Sequence, residues 1–283
     1  MEKEYLKSRV KSRVSWTIAT VLAVFALVVS IVPFIFMVMN SFKEKFEMLT
    51  KGVFALPERL DFTNYREVLN GSFWSYFINS VIVLLVSLAV LLIISAFASY
   101  PLSRFHFRMN GYIYAVIVAC MSIPVHITLI PVFKLTKNMQ VYDSIWALIG
   151  PYVAIGIPIS VFILTGFMKG IPKEIEEAAS IDGCGKIKMF FTIILPMAKP
   201  GLSTLAIYNG VNMWNEFIFA YTLTQSRENR TLPLAVWEFQ GQYSMNTPMI
   251  MAVLTLTVFP MIILFILAQD KLVKGMTAGA VKG

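Results

Sequence analysis

The sequence predicts an all-α integral membrane protein with six transmembrane helices. Of its 283 residues, 57% are hydrophobic and only 14% are charged, whereas about a quarter of the residues in soluble domains are charged. The charges are clustered, which leaves six long intervals that are uncharged or hold a single acid. Each interval can supply the roughly 20 residues that cross about 30 Å of hydrocarbon. Because lipid offers no partners to backbone polar groups, these intervals must be helical.

The predicted spans, in chain order, are residues 15–39, 76–100, 111–133, 144–168, 200–222 and 247–269. The first follows a basic stretch, as the apolar core of a signal peptide would, but it is longer than such a core. No small-x-small cleavage site follows Met39, so we expect a retained anchor. Prolines predict bends in spans three and four; they are Pro124, Pro131, Pro151 and Pro158.

The distribution of Lys and Arg predicts the orientation in the membrane. Of the 24 basic residues, 15 lie in residues 1–15, 101–110, 169–199 and 270–283, and nine lie in the segments on the other side. By the positive-inside rule, both termini and segment 169–199 face the cytoplasm. A net charge of +8 would by itself suggest a nucleic-acid partner. Here the bases flank apolar spans instead of covering one soluble face, so we expect no such partner.

Several kinds of chemistry have no motif in the sequence. It contains no Gly-x-x-x-x-Gly-Lys-Ser/Thr phosphate loop, no Gly-x-Gly-x-x-Gly turn and no His-Glu-x-x-His pair. His106 and His126 lack the spacing of metal ligands, and Cys120, within a span, is not expected to pair with Cys184 in a cytoplasmic segment. We therefore expect no catalytic site, and no cofactor or metal bound by this chain. Energy for any uphill process would come from another subunit or an ion gradient.

Segment 169–199 is long for a connector, and its sequence predicts a helix–turn–helix on the inner membrane face. Pro172 suits the first helical position, because its missing N–H would be unpaired there. Acids follow where the helix dipole favours them, and Gly183 can take the left-handed conformation that ends a helix. Small side chains at Ala178 and Ala179 let another surface approach closely. These residues alone leave two interpretations open, a docking element for a partner and an ordinary interfacial helix.

The spacing within this segment resembles a known motif. Glu177-Ala178-Ala179, three residues, Gly183, nine residues, Ile193, one residue and Leu195-Pro196 are similar to the EAA loop of binding-protein-dependent ABC importer permeases. The resemblance implies a type I ABC importer permease architecture, with 169–199 as the cytoplasmic coupling-helix (EAA) loop. ATP and Mg²⁺ would then be bound by partner ATPase subunits. The implied ATPase-coupling residues are Glu177, Ala178, Ala179, Asp182, Gly183, Ile193, Leu195 and Pro196.

Other stretches resemble one branch of that family. The similarity is to the second permease of carbohydrate importers of the maltose (MalG) type, and it is carried by Asn40-Ser41-Phe42-Lys43, Asn64-Tyr65 and Tyr76-Phe77-Ile78-Asn79-Ser80. Within the tail 270–283, residues 277–283 are similar to that subunit's C-terminal tail, which reaches between the ATPase subunits, although read alone they would be a disordered terminus. The tail residues implied to contact the ATPase are Thr277, Ala278, Gly279 and Val281.

This resemblance also implies the partners and the location. The partners are a second permease subunit (MalF-like), a dimer of cytoplasmic ABC ATPase subunits, an extracellular solute-binding protein and a sugar or oligosaccharide. The implied location is a bacterial or archaeal cytoplasmic membrane, which the chain would cross several times in contact with lipid.

The fifth predicted span is unusually polar. A carboxylate at membrane depth is costly and is expected to face a cavity or a partner, and Asn209, Asn212 and Glu216 fall on one helical face. Amides, a carboxylate and an aromatic ring suit a sugar, with its hydroxyls and its apolar ring face. Hydrogen bonds between helices, or a Glu216 that emerges at the outer interface, stay open as alternatives. The candidate substrate-pathway residues are Asn79, Asn209, Asn212, Trp214, Asn215 and Glu216.

Together these observations predict a transmembrane permease subunit of an ATP-driven, binding-protein-dependent importer for a sugar or oligosaccharide, forming half of the translocation pathway. An ABC permease for a non-sugar solute would keep the EAA loop and lose only the outer motifs. A secondary transporter would need inverted repeats and ionisable residues in several spans, and only Glu216 qualifies. A membrane-embedded enzyme would need catalytic residues that converge near one interface, and the sequence suggests none.

Overall fold

The computed structural model describes residues 2–238 and 246–280, with the side chains of 16–237, 246–267 and 269. Helices make up 81% of the chain and no described residue lies in a strand, so the predicted all-α class is confirmed. The chain divides into two compact units, Met1–Asn70 with Glu238–Val258, and Gly71–Trp237 with Phe259–Gly283.

The α-helices follow one another along the described chain with short connections. In order they are α1 (Glu2–Ser41), α2 (Lys45–Lys51), α3 (Thr63–Asn70), α4 (Phe73–Arg104), α5 (Asn110–Ala119), α6 (Leu129–Asn138), α7 (Trp146–Lys169), α8 (Lys173–Ile181), α9 (Lys186–Met189), α10 (Leu195–Met197), α11 (Lys199–Trp214), α12 (Ile218–Leu223), α13 (Ala235–Glu238) and α14 (Thr247–Ala280). A π-helical turn, Phe190–Ile194, joins α9 to α10.

Four helices of the described chain are long and apolar enough to cross a membrane. They are Trp16–Ser41 of α1, all of α4, all of α7 and Thr247–Leu267 of α14. These helices contain nearly all of the predicted spans 15–39, 76–100, 144–168 and 247–269. These spans are the ones that composition predicts best, because a long uncharged run has no stable alternative to a helix in lipid.

The third predicted span, 111–133, is not a single helix. α5 ends in a 3₁₀ turn, another 3₁₀ turn leads into α6, and the two halves are bent by 93°. Between them the backbone of Ile123 is extended, with ψ of 119°. A residue before proline is driven out of the helical region, and Pro124 itself has no N–H to donate. The bend predicted at Pro124 is therefore a full break.

The fifth predicted span, 200–222, is also interrupted. α11 ends at Trp214 and α12 begins at Ile218, with non-helical residues between them. At its other end, α11 meets segment Lys186–Met197 at an angle of 68°. The described chain has four crossing helices, or up to six if each bent pair is one span. The count of six thus stays a prediction.

α4 and α7 form the core of the larger unit and run in the same direction. Their first halves share one apolar cluster, to which α4 contributes Val83 and α7 contributes Leu148. Their second halves share another cluster, which includes Tyr100 and Met168. The two clusters divide this unit into two ends, one near the start of α7 and the other near segment 169–199.

In the smaller unit, the loop after α1 folds around a buried lysine. The ammonium group of Lys43 donates to Asn40 Oδ1 at 2.9 Å and to two loop carbonyls at 3.2 and 3.3 Å. Asn64 Nδ2 donates in turn to the carbonyls of Ser41 and Lys43, both at 2.9 Å. A buried charge is tolerated when its donors are paired. The motif that carries part of the family resemblance therefore holds this loop together.

Candidate functional site

α8 lies at the centre of the predicted coupling loop and ends as its sequence predicts. Gly183 has a φ of +77°, the N–H of Cys184 donates to the carbonyl of Ala179 at 2.9 Å, and the N–H of Gly183 donates to that of Ser180 at 3.1 Å. This pair of hydrogen bonds is a Schellman motif, which favours glycine because its central residue is left-handed. At the other end, Pro172 lies one residue before the helix and not within it.

A buried ion pair holds α8 against α4. Arg104 Nε lies 2.7 Å from Glu176 Oε1, and the two side chains are only 3% and 17% exposed. Arg104 Nη2 also donates to the carbonyl of Ile171 at 2.9 Å. The hydroxyl of Tyr100 donates to the carbonyl of Lys186 in α9 at 3.2 Å. Both short helices of the loop are thus attached to the same end of α4.

The eight residues of the predicted coupling motif divide between two environments. Ala179, Ile193 and Leu195 are half-buried and pack against the apolar cluster that contains Ile194 and Leu205. The exposed members are Glu177, Ala178, Asp182, Gly183 and Pro196. One part of the motif therefore fixes the loop to the membrane helices, and the other part is open to a partner.

Two isoleucines that sequence reasoning did not select lie beside the exposed part of the motif. Ile181, the last residue of α8, is 87% exposed, and Ile187 in α9 is 77% exposed. Apolar side chains of this size gain free energy when a partner removes them from water. The signal in the sequence was an isoleucine next to the Asp182-Gly183 helix end, in a segment that is too polar to cross a membrane.

The predicted ATPase-contacting tail is only partly described. Thr277, Ala278 and Gly279 belong to the backbone of α14, while Val281 lies outside the described residues. Their contact with the ATPase stays a prediction.

Three of the predicted pathway residues line one cavity of the larger unit. It measures about 340 Å³ and has Asn209, Asn212 and Glu216 in its wall together with Tyr152 and Tyr208. A second cavity of about 410 Å³, lined mostly by apolar side chains, shares Tyr208 with it. Asn209 and Asn212 of α11 thus share one side with Glu216, which follows the end of that helix.

Glu216 is tied to its own fold by three hydrogen bonds. Its carboxylate accepts from the hydroxyl of Tyr152 at 2.8 Å and from the N–H groups of Phe219 and Ala220 at 2.9 and 3.1 Å. These N–H groups belong to the first turn of α12, which otherwise has no acceptor for them. Glu216 therefore starts α12 and links it to α7, which explains the interruption of the predicted fifth span.

The asparagines of α11 also bond within the chain. Asn209 is 4% exposed, and its Nδ2 donates to Ser160 Oγ of α7 at 3.0 Å. Asn212 and Asn215 are exposed, and each donates to a carbonyl of its own helix at 2.8 Å. For Asn209 the structure thus supports the alternative interpretation, in which its side chain makes a hydrogen bond between helices.

The other three pathway candidates, Asn215, Trp214 and Asn79, do not line this cavity. Trp214 is 4% exposed and packs edge-on against Phe77, with ring centroids 5.9 Å apart. Asn79 donates from Nδ2 to the carbonyls of Glu228 at 2.7 Å and Arg230 at 2.9 Å. The side chains of Trp214 and Asn79 are thus engaged in contacts of the larger unit.

Asp143 is a structural residue that sequence reasoning missed. Its Oδ1 accepts from the N–H groups of Gln225 at 2.7 Å and Ser226 at 2.9 Å, and Oδ2 accepts from the Ser226 hydroxyl. Burial acts to raise the pKa of Asp143, but these hydrogen bonds outweigh it, and the pKa lies below its usual value. The sequence showed an acid just before α7, which marks a helix start, but not its partners some 80 residues later.

A helical chain with several helices that are long and apolar enough to cross a membrane is a multi-pass membrane protein. The chain belongs to the family of binding-protein-dependent transport system inner membrane components, whose model matches residues 89–278. The resemblance found in the sequence is thereby confirmed. The protein is a membrane permease subunit of such a transport system.

Individual relatives match over nearly their whole length. The chain is 49% identical to a protein named as a putative ABC transporter permease from Caldicellulosiruptor sp. (strain Rt8B.4), covering 93% of this chain and 95% of the relative. It is 32% identical to the melibiose/raffinose/stachyose import permease of Bacillus subtilis (strain 168), covering 95% and 98%.

The fold is shared with a solved structure. A bacterial ABC transporter involved in the import of the acidic polysaccharide alginate has a subunit that superposes with a TM-score of 0.80, at 20% identity and covering 91% of this chain and 96% of that one. This likeness establishes the type I ABC permease fold.

Proposed function

We propose that the chain is a permease subunit of an ATP-driven importer whose substrate is a sugar or oligosaccharide. The Bacillus relative is named for melibiose, raffinose and stachyose, and others are named for arabinooligosaccharides and diacetylchitobiose. All of these substrates are glycans, although they differ in ring type and linkage. Their common chemistry supports a glycan here over a non-sugar solute.

The coupling to ATP hydrolysis would pass through α8. The observation that carries this proposal is an exposed surface with Glu177, Ala178 and Ile181, on a helix that the Arg104–Glu176 pair fixes to α4. A partner that grips this surface moves α4 with it, because the linking pair is buried. Such a displacement can select between inward-open and outward-open states if the partner binds them with different affinity.

The orientation and the partners follow from this role. α8 faces the cytoplasm together with both termini, where it meets a dimer of ABC ATPase subunits that binds ATP and Mg²⁺. α7 has 24 residues and is therefore about 36 Å long, so its start lies on the opposite side, where a solute-binding protein would deliver substrate. A second permease subunit completes the translocation pathway, and this chain has no ATPase site of its own.

The cavity around Asn212 is the proposed part of the pathway in this subunit. Asn212 is exposed and uses its Nδ2 within its own helix, which leaves Oδ1 as an acceptor for a sugar hydroxyl. Tyr208, 49% exposed, offers a ring face in the same wall. Asn209 and Glu216 would shape the cavity and keep it polar, since their own hydrogen bonds are already made within the chain.

The test is transport by the reconstituted complex of both permeases, the ATPase and the binding protein. We expect ATP-dependent uptake of at least one of raffinose, an arabinooligosaccharide and diacetylchitobiose. Glu177→Lys should abolish uptake and binding-protein-stimulated ATP hydrolysis, because it reverses a charge on the docking surface. Glu67→Lys makes the same charge change at an exposed residue of α3 and should leave both activities intact.

Two results would contradict the proposal. Normal uptake by the Glu177→Lys complex would show that α8 does not bind the ATPase. ATP-dependent uptake of a non-sugar solute, with none of any glycan, would show that the substrate class is wrong.

A further inference from the structure

A cavity of about 680 Å³ lies in the larger unit at the end opposite α8. Its wall combines aromatic and polar side chains from α6, α12 and the loops that follow them. Among the residues that line it are Lys137, Tyr142, Tyr221, Gln225, Arg230 and Trp237. The volume falls within the range of about 300–1,000 Å³ that is typical of ligand pockets. None of the predicted pathway residues lines this cavity.

Tyr221 and Trp237, which line this cavity, stack on each other and on the neighbouring Phe217. The centroid distances are 5.7 Å for Phe217–Tyr221, 5.3 Å for Tyr221–Trp237 and 6.3 Å for Phe217–Trp237, with interplanar angles of 10°, 29° and 19°. Nearly parallel rings at these centroid distances overlap in offset stacks, so the three side chains form one compact aromatic cluster. We call these three residues the aromatic platform. Tyr221 is 54% exposed and Trp237 is 47% exposed.

Two cationic side chains, Lys137 and Arg230, line the same cavity as Tyr221 and Trp237. Lys137 Nζ lies 4.7 Å from the centroid of Phe133 and 4.9 Å from that of Tyr142. Within the part of the chain whose side chains are described, no carboxylate lies within 4 Å of Lys137 or Arg230. Their N–H groups are therefore available to oxygen atoms of a ligand.

The loop that carries part of this wall is held rigidly. The backbone N–H of Gln225 is bound by Asp143, and the carbonyl of Arg230 is bound by Asn79. The N–H of Leu232 donates to Ser80 Oγ at 2.7 Å. A site whose backbone is fixed before binding loses less entropy on binding. This gives the Asn79 side chain a function outside the cavity near Glu216.

We propose that the aromatic platform is a sugar-binding subsite where the glycan first contacts this permease. The apolar C–H face of a pyranose or furanose ring would stack on Tyr221 and Trp237, as apolar groups do on aromatic faces. Lys137, Gln225 and Arg230 would donate hydrogen bonds to its hydroxyl and ring oxygens. A site on a transport path must release its ligand, so the affinity should be weak.

This inference rests on the proposed glycan substrate and adds a site to it. The experiment uses the full complex in lipid nanodiscs without binding protein, and saturation-transfer NMR of raffinose, an arabinooligosaccharide and diacetylchitobiose as probes. Signals should appear for ring C–H protons of the transported glycan. Trp237→Ala and Tyr221→Ala should each weaken this binding about tenfold, which corresponds to about 1.4 kcal/mol. Trp237→Phe keeps a ring and should recover most of the binding.

A matched control separates the platform from a general loss of aromatic surface. Trp146→Ala removes a tryptophan that is 58% exposed at the start of α7 and does not line the cavity. It should bind the probe like the wild-type complex.

Each result decides the inference. Equal binding by the wild-type and Trp237→Ala complexes, in a complex that imports the glycan, overturns the subsite and leaves the proposed function standing. A Trp237→Ala complex that binds glycan normally but no longer responds to unliganded binding protein overturns it as well, because the platform would then be a protein contact. Failure of the wild-type complex to import any glycan refutes the proposed function itself, whatever the platform binds.

Discussion

The predicted coupling loop and the segment from α11 to α12 both carry polar residues that the sequence singled out, but the two sets of residues differ in their exposure and in their hydrogen bonds. In the loop, Glu177 and Asp182 are exposed, while the neighbouring Glu176 is bound to Arg104. Between α11 and α12, Glu216 makes three hydrogen bonds within the chain. The loop thus leaves charges free for a partner, and the α11–α12 segment uses its charge to hold the fold.

The difference shows how a polar motif should be interpreted in a membrane protein. An acid in a loop outside the membrane has water as an alternative partner, so it can stay exposed at little cost. An acid among membrane helices has no such alternative and must be satisfied by the chain. The function of Glu216 in transport can therefore be tested only against its effect on stability.

The largest effect is expected at the anchor of the coupling loop. Arg104→Met should lower the free energy of unfolding by about 3–5 kcal/mol, because it leaves the Glu176 carboxylate buried without its partner. The measurement is thermal unfolding of the purified complex, with ATPase co-purification as a second readout. Arg108→Met, at an exposed position shortly after the end of α4, is the control. Equal unfolding temperatures for the two variants would show that the pair does not hold α8.

A smaller loss is expected at the start of α12. Glu216→Ala removes the acceptor of three donors, and each buried donor left unpaired costs about 1–3 kcal/mol. We expect the loss for each of these donors to lie near the lower end of this range, because α12 can shift so that water replaces the lost carboxylate. Thermal unfolding should show the loss, and Asn212→Ala, which removes one exposed hydrogen bond, should stay within about 0.5 kcal/mol of the wild type. An unfolding temperature unchanged by Glu216→Ala would show that these hydrogen bonds do not stabilise the fold, and Glu216 would again be a candidate for contact with substrate.

The helix end of the coupling loop should contribute about 1 kcal/mol. Gly183→Ala places a Cβ atom on a residue with φ of +77°, which non-glycine residues adopt at a cost. Gly185→Ala is the matched control, since Gly185 has φ of −68° and nothing lies within 4 Å of an added Cβ atom at either position. If both variants unfold alike, the left-handed turn is not what fixes the end of α8.

The smallest effect on stability should accompany a large effect on assembly. Ile181→Ser changes an exposed residue, so the free energy of unfolding should move by no more than about 0.5 kcal/mol. Binding of the ATPase should weaken strongly if this side chain enters its surface. Leu60→Ser, at a position that is 67% exposed outside the loop, controls for loss of apolar surface. Full ATPase binding by Ile181→Ser would place the contact elsewhere on the loop.

Much of the fold was predictable because its causes are local. The four continuous spans follow from uncharged runs that can only be helical in lipid. The end of α8 follows from one glycine, and the family resemblance lay in residues spaced along a single loop. Within the α11–α12 segment, Asn209, Asn212 and Glu216 share the wall of one cavity although α11 ends before Glu216, and their place in a substrate pathway stays a prediction.

The sequence by itself determined the helical class and the membrane location, and it predicted where a coupling loop would lie, since each depends on neighbours along the chain. Only the tertiary structure decided which polar groups are free. The partners of Arg104 and Asp143, and the tyrosine bound to Glu216, lie 64 or more residues away. Hydrogen bonds and ion pairs form between groups that meet in space, so no local pattern could show which of them are already made.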